Sequence, residues 1–208
     1  AMSGSTEDKP GPECISVVAR VRPTKDGSEP SSCIQLEKNA VKLCIPRGDE
    51  IANNQTEEYD FKFSHVFGPE TTQAELFQGT ARDLVLGALD GVNCTVFAYG
   101  QTGSGKTHSI CGYHGDRGII PRSLACLFDA IDRREDGVRF AVSMSFIEVY
   151  KEVGFCLLAK EFGKTIETWP IVTVSLLSGE PVLQGAKRVT IASEEEGLHQ
   201  YFLGDTHR

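Results

Sequence analysis

No apolar run in these 208 residues approaches the ~20 residues that a helix needs to cross a bilayer. A helical membrane span is therefore excluded. Positive charge is scarce as well, with 21 Lys and Arg against 29 Asp and Glu and a net charge of −8. That balance argues against a generally basic nucleic-acid or membrane-surface binder. Paired-cysteine motifs are missing. Cys14, Cys33, Cys44, Cys94, Cys111, Cys126 and Cys156 form no C-x-x-C, their number is odd, and several lie in apolar runs, where a thiol behaves as a small hydrophobe. They read as reduced thiols of a cytosolic protein with no zinc site. None of the five histidines has a second ligand at metal-binding spacing. Repeats and low-complexity tracts are absent. The start, Ala1-Met2-Ser3-Gly4-Ser5, lacks the charged and apolar regions of a signal peptide. Residues 1–13 read as a disordered leader, in part a cloning remnant. The remainder, at 40% hydrophobic and 24% charged, suffices for one soluble domain with a substantial core.

What is present centres on residues 94–108. Cys94-Thr95-Val96-Phe97-Ala98-Tyr99 is a short β-prone run. It breaks into Gly100-Gln101-Thr102-Gly103-Ser104-Gly105-Lys106-Thr107-His108, which meets G-x-x-x-x-G-K-[ST] from Gly100 to Thr107. Three glycines let the backbone take positive φ and approach a ligand closely. Successive N–H groups then converge on an anion, and the following helix start adds favourable partial charge. In this pattern Lys106 reaches the β- and γ-phosphates and the Thr107 hydroxyl sits on Mg²⁺. The expected ligand is a nucleoside triphosphate.

The flanks carry a family resemblance. Phe97 to His108 resembles the phosphate loop of kinesin motor domains. Further matches follow in the family's order: Arg20-Val21-Arg22-Pro23, Phe61-Lys62-Phe63-Ser64-His65-Val66-Phe67, Gly118-Ile119-Ile120-Pro121-Arg122 and Ser145-Phe146-Ile147-Glu148-Val149-Tyr150. The likeness covers residues 14–208. It implies an α/β fold of the P-loop NTPase, kinesin-motor type, with a central mixed β-sheet flanked by helices and incomplete on its C-terminal side. It implies ATP or ADP with Mg²⁺ as ligand, microtubules as track, and a cytoplasmic, cytoskeletal location. It places Arg20, Arg22 and Pro23 along the adenine and Phe77 beside the base. It makes Lys187-Arg188 either a secondary, weak track contact or an ordinary solvated strand end. Asn53-Asn54-Gln55 faintly resembles the ninth, ciliary and flagellar kinesin family.

Local patterns predict the elements. Strands are expected over Cys14–Val21, Tyr59–Phe67 and Cys94–Tyr99, and a long central strand over Val138–Tyr150. Residues 24–58, rich in turn formers, read as a small β subdomain. Thr72-Gln73-Ala74-Glu75 is a capping box opening a helix that Gly91 ends. Gly112 to Gly118 reads as a polar insertion, and Pro121 as the first residue of the next helix. Ile171–Leu177 and Lys187–Ile191 read as strands around a Gly-Pro turn. Ser193 to Glu196 is a second capping box, and the run of three glutamates suits that helix start. Glu148 lies inside a strand and reads as structural.

Two parts of the family pattern are missing. Lys151 stands where the family has an asparagine, and Gly154-Phe155-Cys156-Leu157-Leu158 lacks the family's aspartate. Neither the Asn…Ser-Ser-Arg-Ser-His switch nor the Asp-Leu-Ala-Gly-Ser-Glu switch occurs before the sequence stops at Arg208. No catalytic residue is therefore expected in these 208 residues, which read as part of a motor domain. Asp129 and Asp132 fall in a predicted helix and do not end a strand, as a Mg²⁺-holding carboxylate would. Two readings follow: the ATP-binding part of a microtubule motor, or a non-catalytic nucleotide-binding or scaffold module.

Overall fold

The structure is a computed structural model that describes residues 15–24, 33–44, 58–159, 169–177 and 180–207. The expected leader, most turn residues of the 24–58 segment and Asn53-Asn54-Gln55 lie outside the described residues. Two compact units form: Ala1–Leu76 with Tyr99–Lys106, and Phe77–Ala98 with Thr107–Arg208.

In the first unit β1 (Val18–Arg20) is followed by β2 (Ile34–Glu37), β3 (Ala40–Cys44), β4 (Glu58–Lys62) and β5 (His65–Phe67). β2, β3 and β4 make an antiparallel sheet, the expected β subdomain. Its register aligns Ile34 with Leu43 and Leu43 with Tyr59, and Leu36 with Val41 and Val41 with Phe61. Because directly opposed residues share a face, one side is apolar and carries stacked Tyr59 and Phe61 rings 6.1 Å apart. The single strand expected over Tyr59–Phe67 is in fact two. Phe63 N–H bonds to Asn39 and Ser64 N–H to Val17, so at this point the chain leaves β3 and joins β1. β5 then pairs with β1 in parallel, Arg20 opposite Phe67. β1 itself is shorter than Cys14–Val21, although Val21 N–H still reaches the Phe67 carbonyl at 2.8 Å.

The first capping box holds as read. Thr72 Oγ1 accepts from Glu75 N–H at 3.2 Å, and Glu75 Oε2 accepts from Thr72 N–H at 2.9 Å. These bonds from Thr72 hold the Glu75 carboxyl below its ordinary value. The helix comes as α1 (Gln73–Thr80) and α2 (Arg82–Leu89), interrupted at the fully buried Ala81. Gly91 ends α2 with φ +89°. Its N–H bonds to the Ala88 carbonyl and Val92 N–H to the Gly87 carbonyl, the paired closure that favours glycine at this place.

In the second unit α3 (Lys106–Ile110) runs into a tight hairpin of β6 (Gly112–Tyr113) and β7 (Asp116–Arg117). α4 (Ile119–Asp132) starts two residues before Pro121. The proline thus sits third in the helix rather than first. The first four helical N–H groups have no intrahelical partner in any case, so its missing donor costs nothing there. Residues 138–150 also split, into β8 (Val142–Met144) and β9 (Ile147–Tyr150). β10 (Val153–Cys156) turns back on β9 through Lys151 and Glu152, with φ of +49° and +66°. That two-residue turn needs left-handed backbone at both places, which asparagine adopts more readily than a lysine such as Lys151.

β11 (Ile171–Leu177) matches its expectation, and β12 (Glu180–Gln184) occupies what read as a Gly-Pro turn. β12 is the edge of the β12-β11-β10-β9 sheet, where Pro181 need not donate a ladder bond. β13 (Val189–Ile191) pairs antiparallel with β8. α5 (Glu194–Thr206) opens on the second capping box. Ser193 Oγ accepts from Glu196 N–H at 3.2 Å, while Glu196 Oε2 reaches Ala192 N–H at 2.7 Å. Glu194 also pairs with Arg117 at 2.7 Å. The interior centres on Cys156, Leu158 and Val172, with Met144, Phe146 and Ile147 against them. The six described cysteines are free thiols.

α5 lies close because it presents glycine. A Cβ on Gly204 would collide with the Phe146 ring, and one on Gly197 would come within 3.1 Å of Leu124. Gly204→Val should therefore destabilise the fold by about 1–3 kcal/mol through overpacking. The gain in helix propensity, about half a kcal/mol, is too small to offset this. Denaturant unfolding checks it; an unchanged midpoint would mean α5 is not seated as described.

The strand expected over Cys94–Tyr99 does not form: residues 92–100 have no ladder partner among the described residues. A strand is defined by its neighbours, and β propensity without one is not enough. Phe97 and Tyr99 are 76% and 96% exposed. Cys94 and Val96 instead line an apolar cavity of about 390 Å³ with Leu84, Val85, Ile119 and Leu124. The described strands form ladders of two to four strands.

Candidate nucleotide site

The phosphate-loop pattern gives a built cradle. Gly100, Gly103 and Gly105 have φ of +155°, +81° and +102°, backbone that side chains with a Cβ rarely adopt. Ser104 N–H turns back to the Gln101 carbonyl at 3.2 Å. A Cβ on Gly103 or Gly105 would meet nothing within 4 Å, whereas one on Gly100 would meet Ser104 Oγ at 2.6 Å. The loop is thus open over its second and third glycines and tight at the first.

Lys106 begins α3, and its Nζ donates to the Gly100 and Gln101 carbonyls at 2.7 and 2.8 Å. An ammonium has three donors, so one remains for an anion above the loop. Gln101 and Thr102 are exposed, while Ser104 is half-buried. Arg22, just past β1, donates through Nη1 to the Gly103 carbonyl. Arg20, two residues earlier, donates to the buried Gln73 at 2.8 Å and to the Thr71 carbonyl at 3.2 Å. The R-x-R element is therefore joined to the loop at Arg22 and to the start of α1 at Arg20. Neither carbonyl contact is legible in the amino-acid sequence. Pro23 is exposed beside Arg22.

Other expected residues lie in the second unit. Thr107 follows Lys106 in α3 with its side chain exposed. His108 faces the β6–β7 hairpin, 5.9 Å from the Tyr113 ring centre and 3.9 Å from Asp116 Oδ2. Phe77 is 7% exposed and part of the apolar interior. Lys187 and Arg188 sit between β12 and β13, Lys187 half-buried with its N–H on Cys156 Sγ at 3.2 Å, and Arg188 exposed. Asp129 and Asp132 are both in α4, as read. No cluster of three His, Cys, Asp or Glu suited to a metal occurs among the described residues. No described helix is long and apolar enough to cross a membrane.

The fold and this loop define an α/β domain of the P-loop NTPase class. The kinesin motor-domain family model matches residues 20–208, and the chain belongs to that family. Human kinesin-like protein KIF27 is 38% identical over 203 residues, spanning 93% of this chain and 13% of that protein. A rice relative, KIN-14A, is 34% identical over 200 residues, 93% of this chain and 19% of its own length. Rat KIF15 is 37% identical over 163 residues, 70% of this chain and 11% of its own. Among solved structures, a KIF14 dimer (residues 391–772) in its two-heads-bound state, with AMP-PNP and in complex with a microtubule, superposes with a TM-score of 0.80. It is 25% identical and covers 93% of this chain and 54% of its own. The chain thus spans well under half the length of these curated relatives.

Proposed function

We propose that this chain is the nucleotide-binding part of a kinesin-type microtubule motor, which takes ATP or ADP with Mg²⁺ on the loop Gly100–Thr107. The observation that carries this is the cradle itself: three left-handed glycines, open space above two of them, and Lys106 braced at its rim with a donor to spare. Those residues fit a polyphosphate. Backbone amides of Gln101 to Lys106 would hold it, Lys106 would balance its charge, and the Thr107 hydroxyl would hold Mg²⁺ together with phosphate oxygens. His108 would follow in the same helix. Arg20, Arg22 and Pro23 would border the adenine. Phe77 would serve beside the base, as the family resemblance implies, or as a core residue, which its burial favours. Saturable binding of a fluorescent ATP analogue tests the reading; its absence would sink it.

In the complete motor, nucleotide hydrolysis would drive movement along microtubules in the cytoplasm, with a cilium or flagellum as one setting. The family membership and the microtubule-bound KIF14 neighbour support this track. Lys187 and Arg188 would add a weak contact with the acidic track. Co-pelleting with microtubules should fall as salt rises and fall again in the Lys187→Glu, Arg188→Glu double variant. Pelleting that ignores both changes excludes the contact. A second reading, a non-catalytic nucleotide-binding or scaffold module, is favoured by one feature. Exposed Phe97 and Tyr99 are large apolar groups that suit coverage by a partner.

A further inference from the structure

We propose that Arg22 is a positioning residue for phosphate binding, which holds the loop open by bonding to the Gly103 carbonyl, and does not act mainly by reading the base. The inference rests on the nucleotide reading above and assigns a mechanism within that site. A loop whose N–H groups converge on an anion turns its carbonyls away from the ligand. Those carbonyls are then free to take donors from elsewhere in the protein. Here two cations supply them: Lys106 bonds the carbonyls of Gly100 and Gln101, and Arg22 bonds that of Gly103. Their tasks differ. Lys106 stands at the rim, and its charge is shared between loop and anion. Arg22 comes from outside the loop and grips the glycine at its apex, where φ is +81° and a Cβ would find only open space. Among the described residues no atom beyond its chain neighbours lies within 4 Å of where that Cβ would sit.

The grip has a firm base. Arg20 is tied to Gln73, only 1% exposed, and to the Thr71 carbonyl. β1 is paired with β5 through Arg20, and Val21 N–H extends the pairing to Phe67. Arg22 is therefore delivered from a backbone fixed at the two residues before it. A rigidly held guanidinium on a flexible glycine restricts the loop before ligand arrives, which raises affinity by reducing the ordering still required.

The experiment separates the phosphates from the base. The full chain, Arg22→Ala and Arg22→Lys are titrated with Mg-ATP and with Mg-tripolyphosphate, which has no base, and each variant's melting temperature is recorded. Arg22→Ala should weaken both ligands by the same factor, about tenfold. Arg22→Lys, which keeps one cationic donor, should recover part of the loss for both. A loss for ATP with tripolyphosphate binding intact would show that Arg22 contacts the base, and would overturn the proposal. Unchanged affinity for both ligands would overturn it equally. Should the alanine variant fail to fold, the lysine variant carries the same comparison, since a base contact would spare tripolyphosphate there too. A parent chain that binds neither ligand refutes the nucleotide site itself, a result distinct from either of these.

Discussion

Lys106→Ala should lower affinity for an ATP analogue at least tenfold, about 1.4 kcal/mol. Two losses add. The first is the positive charge that, on the proposed reading, would face the β- and γ-phosphates, where hydrogen bonds to charged groups contribute about 1.5–3 kcal/mol each. The second is the internal brace: without Nζ the Gly100 and Gln101 carbonyls, now bonded at 2.7 and 2.8 Å, lose a shared donor, and the cradle loosens. The fold should survive. Position 106 opens α3 on the rim of the loop, and alanine has the best helix propensity. Equilibrium titration with a labelled nucleotide gives the answer, with circular dichroism as the folding control. Parent-like affinity in a folded Lys106→Ala variant would mean that the ligand sits elsewhere.

These 208 residues by themselves should release phosphate from ATP no faster than background, with or without microtubules. The cradle can bind and orient a triphosphate. Hydrolysis also needs a carboxylate near Mg²⁺, a positioned water and a cation on the transferring group; one such arginine contributes about 10³–10⁵ in rate. Among the described residues no cluster of His, Cys, Asp or Glu suited to a metal occurs. Asp129 and Asp132, the two downstream aspartates weighed for that role, are built into α4. The two switch sequences expected of the family do not occur. A longer chain that carries both switch segments should hydrolyse ATP, with a gain of at least about 10³ on the same grounds. The readout is phosphate release, with Lys106→Ala as the control for contaminating activity. Turnover by residues 1–208 that microtubules accelerate and Lys106→Ala abolishes would prove this wrong.

Much of the architecture is written locally. The two capping boxes, at Thr72 and Ser193, form as their spacing requires, because each closes within four residues. Gly91 ends its helix for the same kind of reason: a left-handed residue is needed there, and glycine adopts it without strain. The phosphate loop belongs to this group too. Its glycines and lysine shape the cradle through backbone freedom and one short side-chain reach.

Expectations failed where a distant neighbour decides. Residues 59–67 and 138–150 each look like one long strand, because alternation reports exposure and not pairing partner. Each splits where its backbone bonds pass from one sheet to another. Cys94–Tyr99 has strand-forming side chains but no ladder, since main-chain bonds and not propensity hold a strand. β12 was hidden by Pro181, which an edge strand accepts. The roles of Arg20 and Arg22 needed the tertiary structure most. Two arginines two apart on a strand end predict only a shared direction. That Arg22 meets a carbonyl 81 residues away, and Arg20 a buried glutamine 53 residues away, depends on how β1, α1 and the loop come together in space. The sequence by itself thus determined the caps, the family and the chemistry of the phosphate loop, all set by contacts within a few residues. Only the tertiary structure decided which strands pair and what holds the loop open, because those contacts join segments that the chain keeps far apart.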